Sequence, residues 1–281
     1  MTFTVEPLGP RDVPALRALL LRDTAHHLYL LGLLEEFGVV SPRASRTPFG
    51  FHGRFSAQRE LTAAIFVGGE GGLVVPSSGN PEHLATIAEA LRGKVRLRAA
   101  LGDRAGVDML VRHLCVEKPR HSRGQRLFSV SADDLGPFTN PMLRLATEAE
   151  LPALLLMAAE AVREGLERDP LREDAEGFRA RVLQRIRSKR TYVLEAGGRL
   201  VFKIDVGSRS QYGAEIEGLY TVPEERRQGH ATLSLGQISR HLLSSLPRLV
   251  IRVDDALPSL ATMARKVGYV PGKPQRLVVT E

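Results

Sequence analysis

The stretch that most constrains this chain runs from Glu215 to His241, EIEGLYTVPEERRQGHATLSLGQISRH. Ile216, Leu219, Tyr220 and Val222 predict a strand, stopped by Pro223. Ala231, Leu235, Ile238 and Leu242, spaced four, three and four apart, predict a helix. Between them lies a basic turn with one glycine, Arg226-Arg227-Gln228-Gly229-His230-Ala231. Such a turn aims successive backbone N–H groups, and the positive end of a helix, at one point. That is what holding a phosphate or pyrophosphate requires. Gly229 can take a backbone shape that other residues resist and lets a ligand come close. The arginines add charge that matches phosphate oxygens. For His230 the backbone N–H is the simpler contributor, although a protonated ring could also assist.

The length, 281 residues, suggests two domains. Hydrophobic content of 43% and charged content of 25% fit a soluble folded protein. The longest apolar runs, Leu16–Leu34 and Leu151–Val162, are interrupted by Arg22 and Asp23 or by Glu160, so no membrane span is expected. The first residues, MTFTVEPLGPRD, lack the basic region and apolar core of a secretory signal. A single cysteine, Cys115, excludes an internal disulfide and a cysteine-cluster metal site. It reads as a packing residue, and a reducing cytoplasm is the simplest setting. The formal charge of +7 could attract nucleic acid, coenzyme A or an acidic protein. No zinc-finger spacing or aromatic-and-basic stripe favours nucleic acid. His26 and His27, adjacent on a predicted helix, do not share a face and make a poor metal pair.

In the first half, strand 3–8 is followed by helices over Val13–Leu21 and Thr24–Phe37. Residues 41–60 read as a long loop or distorted hairpin. Strands at Leu61–Val67 and Gly71–Pro76 flank a glycine turn. A helix over Glu82–Leu91, a strand Val95–Leu101, a helix Arg104–His113 and a strand Arg126–Val130 follow. Asp133, Asp134, Gly136, Pro137, Asn140 and Pro141 put the boundary within 131–142, giving domains 1–135 and 136–281.

The second half restarts with strand Met142–Leu145 and the capping box Thr147…Glu150. A helix from Leu151 ends near Gly165, and 166–173 reads as a polar loop. A helix over Ala175–Ser188 carries Phe178, Val182 and Ile186 on one side. Thr191–Ala196 and Arg199–Val206 form a hairpin around Gly197-Gly198. A small-residue loop, 207–213, then leads to the organising strand. Strand Arg248–Val253, helix Pro258–Val267 and closing strand Arg276–Thr280 complete the chain.

The turn resembles motif A of the GCN5-related N-acetyltransferases, Gln/Arg-x-x-Gly-x-Gly/Ala, filled here by Arg226, Gly229 and Ala231. The strand ending in Val222-Pro223, the helix that follows and the later Lys266-Val267-Gly268-Tyr269 support the resemblance. It covers the whole second half. The first half, with its line LGPRDVPALRALLLRDTAHHLYLLGLLEEFG, resembles a degenerate domain of the same kind without a normal cofactor loop. The resemblance implies an α/β (α+β) fold of two acetyltransferase-like domains, each a mixed, mostly antiparallel twisted sheet flanked by helices. It also implies acetyl-CoA as co-substrate, no metal, and transfer of acetyl to a primary amine of a small molecule, peptide or protein. The acceptor is not specified, and association into a homodimer is left open.

What the resemblance implies about residues is specific. Arg226, Arg227, Gln228, Gly229, His230 and Ala231 would hold the pyrophosphate. Val222 would pair with the pantetheine arm through its main chain. Glu217 is the candidate base, Glu215 is its rival on the same strand face, and Tyr220 and Tyr212 are candidate acids or acceptor-binding groups. The tyrosine that in many relatives protonates the leaving thiolate is replaced by Ala264, and a preceding asparagine by Leu257. Those departures keep a non-catalytic acyl-CoA-binding or regulatory protein as the first alternative. A basic nucleic-acid-binding module is the second.

Overall fold

The computed structural model describes residues 3–41, 49–69, 73–77, 80–114 and 118–280. Cys115, Gly71, Gly72 and residues 42–48 of the expected loop lie outside them. The chain begins with β1 (Phe3–Pro7), α1 (Val13–Leu21) and α2 (Thr24–Phe37). Pro14 stands in the first turn of α1, where its missing N–H costs nothing. Asp23 caps α2 by accepting from the His26 N–H. Next comes β2 (Phe49–Ser56), where the sequence suggested a loop or distorted hairpin. Its glycines mask it. Gly53 is inside the strand because Leu61 and Leu8 fill the space of a side chain, and a Cβ there would come within 2.6 Å of both. β3 (Leu61–Gly68), β4 (Leu73–Ser77) and α3 (Pro81–Leu91) follow. β5 (Ala99–Asp103) starts four residues later than expected and leads into α4 (Arg104–Leu114) and β6 (His121–Val130).

The second half contains β7 (Arg144–Leu145), α5 (Leu151–Leu166), a short α6 (Pro170–Glu173) and α7 (Ala175–Arg187). In the expected capping box, the Thr147 N–H donates to Glu150 Oε2 at 2.7 Å. α6 replaces part of the expected polar loop, because Asp169 caps it and Pro170 begins it. β8 (Thr191–Ala196) and β9 (Arg199–Ser210) turn through Gly197 and Gly198, both at positive φ, as a tight hairpin demands. β9 runs four residues past Val206, so most of the expected small-residue loop is strand. β10 (Gly213–Thr221), α8 (His230–Leu243), β11 (Leu249–Asp254), α9 (Pro258–Val267) and β12 (Val270–Val279) complete the order.

Backbone packing divides the chain into two units. The first comprises Met1–Leu127, Arg252–Pro258 and Pro271–Glu281, and the second comprises Phe128–Ile251 and Ser259–Val270. In the first, strands lie in the order β1-β2-β3-β4-β5-β12-β6. The last strand of the chain therefore enters the first unit's sheet, antiparallel to β5 from Gln275↔Asp103 to Val279↔Ala99. One face carries α3 and α4, whose Leu84, Ile87, Leu91, Val107 and Leu110 pack with Ile65, Ala100 and Val278. In the second, the order is β11-β10-β9-β8-β7. α5 and α7 cover one face, with Leu154, Phe178, Val182 and Ile186 packed on Val193 and Tyr220. Each such aliphatic or aromatic side chain contributes about 1.5–3 kcal/mol by leaving water. Both units are thus mixed, mostly antiparallel sheets flanked by helices.

Candidate active site

The stretch Glu215–His241 lies wholly within the second unit. β10 pairs in parallel with β11 only from Ala214↔Leu249 to Ile216↔Ile251. Its other edge stays paired with β9 through Thr221↔Phe202. From Glu217 to Thr221, the edge of β10 turned away from β9 has no ladder partner among the described residues. The Val222 N–H donates to the Val201 carbonyl at 3.0 Å, and the Val222 carbonyl accepts from the Glu225 N–H at 3.0 Å. The main chain of Val222 is therefore turned to β9 and to its own turn. By strand alternation Thr221 directs its backbone the other way, and its carbonyl accepts from Arg226 Nε at 3.0 Å. Thr221, one residue earlier than the expected position, is the residue that presents main chain to the unpaired edge.

A short turn of 3-10 helix, Pro223–Glu225, ends the strand. Arg227 then takes φ 64 and Gly229 takes φ 87. A turn through two left-handed residues gathers the backbone N–H groups on one side. Gly229 is the N-cap of α8 and has no side chain to fill that position. The first bond of the helix ladder there runs from the Leu233 N–H to the Gly229 carbonyl, 3.0 Å. The N–H groups of His230, Ala231 and Thr232 precede it and lie outside that ladder. A Cβ on Gly229 would meet nothing within 4 Å, and Arg227, Gln228 and Gly229 are exposed. This is an open cradle of amides at a positive helix end, of a polarity that favours an anion.

The side chains around the turn brace it. Arg226 Nη2 contacts both Glu164 oxygens, at 2.7 and 3.0 Å, and its guanidinium lies 5.5 Å from the Tyr220 ring centroid. Its charge is committed to α5 and β10. Gln228 Nε2 donates to the Glu224 carbonyl at 3.4 Å. His230 Nε2 lies 3.3 Å from Glu225 Oε2, and Arg199 holds the other oxygen of Glu225 at 3.2 Å. Ala231 is half-buried.

Of the carboxylates, Glu215 is buried at 4% exposure. The Glu217 side chain keeps 32% of its surface. Its carboxylate lies over Gly207 of β9, where a Cβ would come within 2.7 Å of the carboxyl carbon. Arg185 of α7 donates to Glu217 Oε1 through Nη2, while its Nη1 lies 3.6 Å from Asp205 Oδ2. Tyr220 is buried in the α5–α7 core. Burial, and then the neighbouring Glu164 charge, pushes its phenol pKa up, so it stays protonated and acts in packing. Ala264 is fully buried, and the Tyr269 hydroxyl meets Ser239 at 2.8 Å.

Beneath Glu217 lies a charged pair that sequence reading missed. Lys203 and Asp205 are each 2% exposed. Lys203 Nζ reaches Asp205 Oδ2 and the Gly218 carbonyl, both at 2.6 Å. Thr191 Oγ1 donates to Asp205 Oδ1 at 2.8 Å. Gly218, at φ 58, permits this, since a Cβ there would come within 2.3 Å of Asp205 Oδ2. It sits at the irregularity of β10 between Glu217 and Tyr220. The signal was available as two charges, two residues apart, in the middle of an apolar strand.

The corresponding place in the first unit differs. α3, the helix after β4, begins with Asn80, whose side chain accepts from the Glu82 N–H at 3.0 Å, and with Pro81, which has no N–H. That helix start offers few free amides. Among the described residues, no group of three His, Cys, Asp or Glu side chains could hold a metal. No helix among the described residues is long and apolar enough to cross a membrane.

The chain matches no family model and no curated protein. Solved structures do match over nearly its whole length. A Drosophila protein aligns with a TM-score of 0.70 at 15% identity, covering 98% of both chains. An acetyltransferase of the GNAT family from Colwellia psychrerythraea aligns with a TM-score of 0.58 at 12% identity, covering 99% of this chain and 100% of that one. A tandem GNAT protein from the clavulanic acid biosynthesis pathway gives 0.59 at 13% identity, covering 99% and 98%. The fold is therefore that of the GCN5-related N-acetyltransferases.

Proposed function

We propose that the second unit binds acetyl-CoA and transfers its acetyl group to a primary amine. The observation that carries this reading is the amide cradle of Arg227–Ala231 beside the unpaired edge of β10. The cradle suits the diphosphate, and the strand edge at Thr221 suits the amide-bearing pantetheine arm. Val222 contributes by fixing the strand to β9, and Arg226 by holding the turn to α5. Gly229, His230 and Ala231 act through main chain.

In the reaction the amine nitrogen attacks the thioester carbonyl, the C–S bond breaks, and the acetyl group leaves the thiolate for the amine. The amine must first lose a proton. Glu217 is the base on this reading, since it is the reachable carboxylate of the two on β10 and Glu215 is buried. Arg185 donates to Glu217 and keeps it pointed over Gly207. The thiolate is a good enough leaving group to depart without a tyrosine, which fits Ala264.

Ala264 also favours a second reading, in which the protein binds acyl-CoA without turnover. A panel of primary amines, assayed for coenzyme A release with wild type and Glu217→Gln, separates the two. Amine-dependent release that falls at least tenfold in Glu217→Gln, with acetyl-CoA affinity unchanged, is expected. Tight binding with no amine-dependent release would establish the binding protein instead.

A further inference from the structure

A second candidate site lies in the first unit and uses none of the residues of the acetyl-CoA reading. Gly50 and His52 are two apart on β2 and share one face of the sheet. They pair with Val67 and Ile65 of β3, so that face continues across both strands. α3 covers it up to Leu91, which packs with Ile65 and Val67. Past the end of α3 a cavity of about 390 Å³ opens, lined among others by Phe49, Gly50, His52, Val67, Lys94 and Val95. That volume falls within the range of small-molecule pockets. A Cβ on Gly50 would meet nothing within 4 Å, so its missing side chain helps to make the space.

The walls are mostly apolar, with two polar features. Lys94 is exposed at the rim, and its ammonium has no carboxylate partner among the described residues. His52 Nδ1 is buried without a hydrogen-bond partner among them. Burial, and then the Lys94 charge, pushes the imidazole pKa down. His52 is therefore neutral at pH 7 and can offer an N–H, while Lys94 supplies the charge. A cation would meet Lys94 unfavourably. A plain hydrocarbon would leave Nδ1 unmet, at the usual cost of an unsatisfied buried polar atom.

We infer that this cavity binds a medium-chain carboxylate, its apolar body against Val67 and Val95 and its carboxylate between Lys94 and His52. Calorimetric titration of the full chain with octanoate tests it, with octylamine and acetate as controls and with the variants Lys94→Gln and Gly50→Leu. Saturable one-to-one binding of octanoate is expected, with no binding of either control. Lys94→Gln weakens it at least tenfold, and Gly50→Leu removes it, with the melting temperatures of both variants near wild type. No octanoate binding, equal binding of octylamine, or unchanged affinity in Lys94→Gln would each overturn the assignment. Lys94 is exposed, so its variant decides the matter even if Gly50→Leu unfolds.

Discussion

Gly218, Lys203 and Asp205 show how single residues set the centre of the second unit. Two opposite charges are sealed between strands, and one glycine leaves room for them. Removing Lys203 leaves the buried Asp205 carboxylate to Thr191 and to Arg185 Nη1, 3.6 Å away, so the loss is smaller than the roughly 3–5 kcal/mol of a buried charge left with no partner. Lys203→Met should therefore lower stability by about 1–3 kcal/mol, read by denaturant unfolding. A change under about 1 kcal/mol would mean that Asp205 finds water or another donor. Alternation alone did not mark this pair as buried, because Lys203 and Asp205 occupy ordinary strand positions; the sign in the sequence was two charges inside an otherwise apolar strand. The reverse holds for the turn before α8. Gly229 is local in sequence, so its special backbone was legible there, whereas the left-handed Arg227 was not. The direction of Val222 was not, since it depends on which backbone groups β9 takes.

At the scale of elements, α2 carries a buried histidine, His27, and a half-buried one, His26, into the first unit. His27 Nδ1 meets the Leu20 carbonyl at 2.8 Å and its Nε2 meets Ser77 Oγ at 3.0 Å. His26 Nδ1 meets Gln275 Nε2 at 3.0 Å, and Asp23 pairs with Lys273 at 2.6 Å beside it. Burial first, and then the neighbouring His27, push the His26 pKa from 6.5 down to about 3. Burial pushes His27 down as well. The unfolded chain takes up these protons near pH 6.5 and the folded chain resists them. The stability tied to neutral histidines is complete above about pH 6.5 and is lost as pH falls toward 3. The melting temperature of the wild type should fall over that window, and more steeply than that of His26→Gln. Parallel curves would show that His26 does not titrate this way. Helices with clear apolar spacing, such as α1, α2 and α7, were legible from sequence. β2 was not, because Gly53 signals a turn by composition but serves a close approach by packing.

At the scale of the whole molecule, the last strand stands out. β12 joins β5, so Pro271–Glu281 belongs with Met1–Leu127. Local sequence carried no sign of this, because a closing strand reads the same whichever sheet receives it. A chain ending at Val270 should bare the edge of β5 and lose the packing of Val278. Limited proteolysis should then cut within residues 1–127 faster than in the full chain, and equal rates would contradict the pairing. The two units also differ in their fitness for a diphosphate. The turn before α8 opens its amides, while Asn80 and Pro81 leave few at the start of α3. Calorimetric titration with acetyl-CoA, on wild type and on Gly229→Val, tests the account most directly. It predicts one site per chain, weakened at least tenfold by Gly229→Val, since a branched side chain resists φ 87. Two sites per chain, no binding, or full affinity in that variant would contradict it.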